Sequence, residues 1–242
     1  MTALMEPQLP ITGINGLEPA LPKVLAAGRL LVAYDSDPIN PVEDAGEWEL
    51  FSFSRRHRNH CDPEIYIKRV DRDSGDAVPA NIGLARRLKC GTAFWLSYYE
   101  HGMCDWSLLG EGRQCQWDSA RLAGILLWKG KIKDLPKTYE EREKWARGIV
   151  EEYTKYCNGQ AYGYSLVRLL PSFSAEGKQV GTYEEDIDAS CWGFTESDHM
   201  FNEIREHMRH NGIDPDELEI TGDAKDLAAY HDLDWRKSHV AG

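Results

Sequence analysis

Two apolar, aromatic-rich runs, residues 94–99 (FWLSYY) and 122–128 (LAGILLW), constrain this chain most. Both are shorter than an ordinary globular helix, and both are framed by turn residues: Gly91 and His101-Gly102 around the first, Lys129-Gly130-Lys131 after the second. The first reads as a buried strand. Residues 104–109 follow after a short break and pair back on it antiparallel, with Gly110-Glu111-Gly112 closing the segment. The second run reads as a strand or as a buried helix, since length alone does not separate the two. Asp118 and Ser119, just before it, both favour a helix N-cap and are expected to start a helical turn. Trp117-Asp118-Ser119 thus reads as a core tryptophan beside a capping pair, ahead of the sharper reading in which Asp118 is a base or ligand.

The remaining elements follow from periodicity. Residues 29–34 read as a strand, and residues 47–53 and 64–70 alternate polar and apolar side chains as half-buried strands do. Residues 80–89 form a short helix with Arg86, Arg87 and Lys89 outward. A long helix spans residues 135–159. Thr138 and Glu141 make its capping box, Trp145, Ile149, Tyr153 and Tyr156 its apolar face, and Gly159 its stop. Residues 161–170 and 180–194 form a long hairpin with Tyr162, Tyr164, Cys191, Trp192 and Phe194 on its inner face. Thr195 caps a second helix with Met200, Ile204 and Met208 in line, stopped by Asn211-Gly212. The fold class is α+β, a mainly antiparallel sheet with two or more helices packed on one face. Residues 1–28, rich in proline, form an extended arm. Residues 29–212 form the core domain, and residues 213–242 an acidic C-terminal extension packed on it.

Charge narrows the function classes. The chain has 242 residues and a net charge of −12, but residues 50–139 carry +5 while residues 140–234 carry −13. Such asymmetry gives a basic and an acidic face, or copies that associate through opposite faces. No apolar run approaches the ~18 residues of a membrane span, and the N-terminus lacks the basic start of a signal peptide. Six cysteines in a chain this long fit reduced thiols in a cytosol. Residues 55–62 (RRHRNHCD) are the most basic run, and Arg55, Arg56 and Arg58 are the binding candidates. The acidity of the whole chain nevertheless opposes nucleic acid as a partner. His57, His60 and Cys61 offer an alternative metal set, with Cys90, Cys104 or Cys115 to complete it. No C-x2-C or H-x3-H spacing supports it, so no metal and no cofactor is expected. His101 and Asp118 are the catalytic candidates. There is no Walker loop, dinucleotide fingerprint, nucleophile elbow or H-E-x-x-H.

The motifs also occur in a recognisable order. Trp48 with Phe53, Arg55 and Arg56 is followed by Tyr99 and His101. Cys115, Trp117, Asp118, Ser119 and Gly124 come next, then Gly159, Tyr162, Gly163 and Tyr164, then Ser190, Cys191, Trp192, Gly193 and Phe194. In this, residues 46–200 resemble a widespread family of uncharacterised bacteriophage and mobile-element proteins. Ala189 stands where that family usually has Asp, and Ser54 where a His is frequent, which argues against catalysis at those two positions. The resemblance implies a phage setting and no reaction. The expected function is an accessory protein in the host cytoplasm, a non-enzymatic binder of a host or defence protein that acts through its acidic surface. A metal-dependent hydrolase or nucleic-acid-processing enzyme is the first alternative. A virion-associated structural protein is the second, and a homo-oligomer is compatible with each.

Overall fold

The computed structural model describes residues 25–43, 47–113 and 115–237. Ten strands are β1 (Ala26–Tyr34), β2 (Trp48–Ser52), β3 (Ile67–Val70), β4 (Ala77–Pro79), β5 (Ala93–His101), β6 (Met103–Leu108), β7 (Ser119–Trp128), β8 (Tyr162–Phe173), β9 (Gln179–Phe194) and β10 (Ile213–Thr221). The helices are α1 (Ile82–Lys89), α2 (Tyr139–Cys157) and α3 (Ser197–Asn211). The class is α+β with antiparallel-rich sheets. The strands divide into two four-stranded sheets, sheet A in the order β10-β1-β8-β9 and sheet B in the order β2-β7-β5-β6, with β3-β4 as a small ribbon. The single parallel pairing among these sheets joins β1 to β10.

Each sheet has its own core. On sheet A, α3 buries Met200, Phe201, Ile204 and Met208 against Leu30, Val32, Tyr164 and Leu166. On sheet B, α2 buries Ala146, Val150 and Tyr153 against Trp48, Leu96, Trp106 and Leu126. Leu84 of α1 packs on the opposite face of sheet B with Ala93, Ile125 and Leu127. Central strand β7 is apolar on both faces because both are covered.

Several sequence expectations change. The helical turn at Asp118-Ser119 is absent. Ser119 opens β7 and pairs with Tyr99, and the Asp118 carbonyl accepts from Glu100 N–H at 3.0 Å. Pairing of this end of β7 with β5 outweighs the local capping preference. The capping box of α2 forms as read, but its buried line is Ala146, Val150 and Tyr153, with Trp145, Ile149 and Tyr156 only half-buried beside it. Glu196, not Thr195, takes the N-cap of α3 and makes no side-chain capping bond. Arg87 turns inward, donating to the carbonyls of Trp128 at 2.6 Å and Thr92 at 3.2 Å. Trp192 leaves the inner face of the β8–β9 hairpin and lies over Gly163 on the outer face.

Residues 1–24 of the expected arm lie outside the described residues, and residues 26–28 already belong to β1. The acidic C-terminal segment enters the fold more deeply than an extension does. β10 is an edge strand of sheet A, and Ile213, Ala224, Ala228 and Trp235 are buried in its core.

Candidate functional site

β6 is one of the two edge strands of sheet B, and an unpaired edge leaves backbone N–H and C=O groups without partners. Helix α2 fills this role with side chains. Asn158, at its C-cap, accepts from Cys104 N–H at 2.9 Å and donates to the Cys104 carbonyl at 2.8 Å. Thr154, one turn earlier, accepts from Trp106 N–H at 3.0 Å and donates to the Trp106 carbonyl at 3.4 Å. Two residues four apart on a helix thus match two residues two apart on a strand.

This docking shapes a cavity of about 460 Å³ between β5, β6, the C-terminal end of α2 and the loop of residues 54–60. Cys104 and Cys157 both line it. Cys157 is the more exposed residue of the two, and its pKa is lowered by hydrogen bonding from Cys104 and, less, from Tyr153, against partial desolvation. Cys104 is raised by the same hydrogen bond and by burial. Of the two thiols, Cys157 is the one whose thiolate, the reactive form, is favoured. Cys157 is the thiol of the pair open to alkylation.

Tyr98, Trp106 and Tyr153 form the aromatic wall, and Glu100 sits beside Tyr98. Burial and a hydrogen bond to Glu100 push the Tyr98 phenol far above its ordinary value, so it is a hydroxyl donor and not a base. His57 closes the opposite wall, its ring 4.9 Å from Tyr98 and 5.4 Å from Trp106. Ser52 Oγ accepts from Ser54 N–H at 3.1 Å and lies 2.7 Å from His57 Nδ1. A hydroxyl donates one bond and accepts up to two, so this contact runs in either direction according to the His57 tautomer. Burial lowers the His57 pKa, with Arg56 contributing against Glu100. Ser52 is fully buried and is a support for His57, not a nucleophile.

The candidates from the sequence fall into different places. Arg56 and Arg58 line the cavity, whereas Arg55 does not. His60 Nδ1 approaches the Ser52 carbonyl at 3.4 Å, and Cys61 N–H donates to the same carbonyl at 2.8 Å. Burial pushes the Cys61 thiol up to about 11. His57, His60 and Cys61 do not converge, and among the described residues no three His, Cys, Asp or Glu side chains form a metal-holding group. His101 and Asp118, in contrast, are brought together on the opposite face of the β5–β6 hairpin, with His101 Nδ1 3.2 Å from Asp118 Oδ2. Cys115 Sγ donates to the same oxygen at 3.6 Å, and Cys115 N–H donates to Ser119 Oγ at 2.8 Å. Trp117 is 85 % exposed, which overturns its reading as a core tryptophan. The Cys104–Cys157–Asn158 set escaped sequence reading, because 54 residues separate Cys104 from Asn158 and neither segment carries a local motif.

Comparisons with family models, curated proteins and solved structures find no match.

Proposed function

We propose that this chain is a phage accessory protein, acting in the host cytoplasm, that binds the basic surface of a host or defence protein and performs no catalysis itself. The observation that carries the reading is the outer face of sheet A. α3 covers the other face, while this one presents Glu184 and Asp186 from β9 and Glu217 and Glu219 from β10, all exposed. Arg29 sits between them on β1, paired with Glu219 at 2.8 Å and with Glu184. Leu31, Val167 and Leu169 fill the middle of the same face and are partly exposed. An apolar centre with a carboxylate rim suits a partner whose own rim is Lys and Arg, and charge of this kind sets encounter rate and selectivity. A surface that binds phosphate backbones has that chemistry. The absence of any membrane-spanning helix among the described residues is compatible with this setting.

The test is capture by the tagged full chain from infected-host lysate, side by side with a charge-reversed variant (Glu184→Lys, Asp186→Lys, Glu217→Lys, Glu219→Lys). A stoichiometric protein retained by the wild type, lost by the variant and released by raised salt is the expected result. Capture that is indifferent to the four reversals would refute the reading.

A further inference from the structure

A second cavity, of about 560 Å³, opens between α2, residues 38–41 and 47–48, and the end of β9. Its wall is aromatic. Trp48 forms the base, 1 % exposed, and its indole N–H has no hydrogen-bond partner. Trp145 stands nearly perpendicular to Trp48, at 88° and 6.3 Å between ring centroids. Trp192 approaches from sheet A, 46 % exposed, with one ring face lying on the Gly163 backbone. Two carboxylates, Glu47 and Glu152, complete the lining, and among the described lining residues there is no Lys, Arg or His. Lys155, three residues along the helix from Glu152, is paired to Glu196 at 3.0 Å.

We propose that this cleft is a binding site for an alkylated ammonium group, held against the indole faces of Trp145 and Trp192 and neutralised by Glu47 and Glu152. The chemistry follows from the walls. Tryptophan faces carry the strongest negative quadrupole among side chains and attract cations within about 6 Å, most strongly where water is displaced. Alkyl groups on the nitrogen supply apolar contact to Pro38, Ile39 and Ile149, which a bare ammonium would not use. The carboxylates exclude anions. Partial desolvation raises the Glu152 pKa, with Lys155 opposing and Glu196 adding to the effect, so a bound cation relieves a cost already present in the cleft. The cavity size is within the usual range for small-ligand sites, roughly 300–1,000 Å³.

A free small molecule and a methylated lysine side chain share this chemistry, and two probes separate them. Choline and a short trimethyllysine peptide are titrated into the full chain by calorimetry and tryptophan fluorescence. 3,3-Dimethylbutanol and the unmethylated peptide serve as matched controls. Binding of either cationic probe at least about tenfold tighter than its control is the expected result, and the better of the two identifies the source. Glu152→Gln, on the exposed rim, should weaken that binding about tenfold, and Trp145→Leu should weaken it further. Glu47→Gln provides an independent check should Trp145→Leu fail to fold. The proposal is overturned if neither probe binds tighter than its control, or if binding is unchanged in both Glu152→Gln and Glu47→Gln.

Discussion

Asn158 makes both backbone hydrogen bonds of Cys104, taking the place of a fifth strand on sheet B. Its amide does what a strand backbone does, and Thr154 repeats the arrangement at Trp106. Truncation leaves half-buried groups of Cys104 unpaired, at about 1 kcal/mol or more for each bond lost. Asn158→Ala is therefore expected to destabilise the fold by roughly 2–3 kcal/mol, read as a shift in the urea midpoint at unchanged slope. Asn158→Ala with Thr154→Val should also increase self-association, measured by light scattering, because an open edge is a template for pairing. Unchanged stability in Asn158→Ala would mean that water replaces the amide at no cost.

Thiol reactivity is ordered by environment. Cys157 is exposed with its pKa lowered by its hydrogen bond from Cys104, whereas burial raises Cys61 to about 11. At pH 7 iodoacetamide should label Cys157 well before Cys61, by a factor of ten or more in rate since the thiolate is the reacting form. Peptide mass spectrometry over a time course measures this. Cys104→Ser should keep a donor beside Cys157 and preserve its rate, whereas Cys104→Ala should slow it. Faster labelling of Cys61 would contradict the assignment.

What the sequence disclosed was local. The α2 capping box at Thr138 and Glu141, the β5–β6 hairpin and the β8–β9 hairpin were legible because capping and alternation act between neighbours in the chain. Two features escaped because their causes are distant. Ser119 is a strand residue rather than a cap because it pairs with Tyr99 of β5, and no short window around Ser119 contains that strand. The division into two sheets depends on β1 pairing with β8 rather than with β2, and sheet A is completed by β10 pairing with β1 across some 190 residues. The site fared likewise. His101 and Asp118 were candidates by residue type and do meet, at 3.2 Å, yet the thiol pair of the cavity depends on the docking of α2 on β6. Trp117 shows the opposite failure: an aromatic residue was assigned to the core by composition, and the fold places it in solvent.

His57 makes stability depend on pH. Burial among Tyr98, Trp106 and Ser52 lowers its pKa from the ordinary 6.5, with Arg56 lowering it further and Glu100 opposing. The unfolded chain thus binds a proton that the folded chain resists, so stability rises with pH in this window. The contribution is fully present above pH 6.5 and is lost as the pH falls through the folded value. Denaturant unfolding at pH 7.5 and pH 5.5 should show a loss on acidification that is smaller in His57→Gln. Equal losses in the two proteins would assign the acid sensitivity to other groups.

Gly163 and Trp192 are opposite one another on β8 and β9, and the indole occupies the space a side chain at residue 163 would need. A methyl group there would run into Cε3 and Cδ2 of the ring. The Gly163 backbone is not left-handed, so the requirement is for space and not for conformation. Gly163→Ala is expected to cost about 1–3 kcal/mol, as overpacking does, and to move Trp192 off the sheet, changing its fluorescence. In a Trp192→Ala background the same substitution should cost little, because the obstacle is gone. The double-mutant cycle measures the coupling directly. It also bears on the cation cleft: Gly163→Ala should weaken choline binding there because Trp192 is one of its walls, while the charge-reversed face of sheet A should leave that binding unchanged.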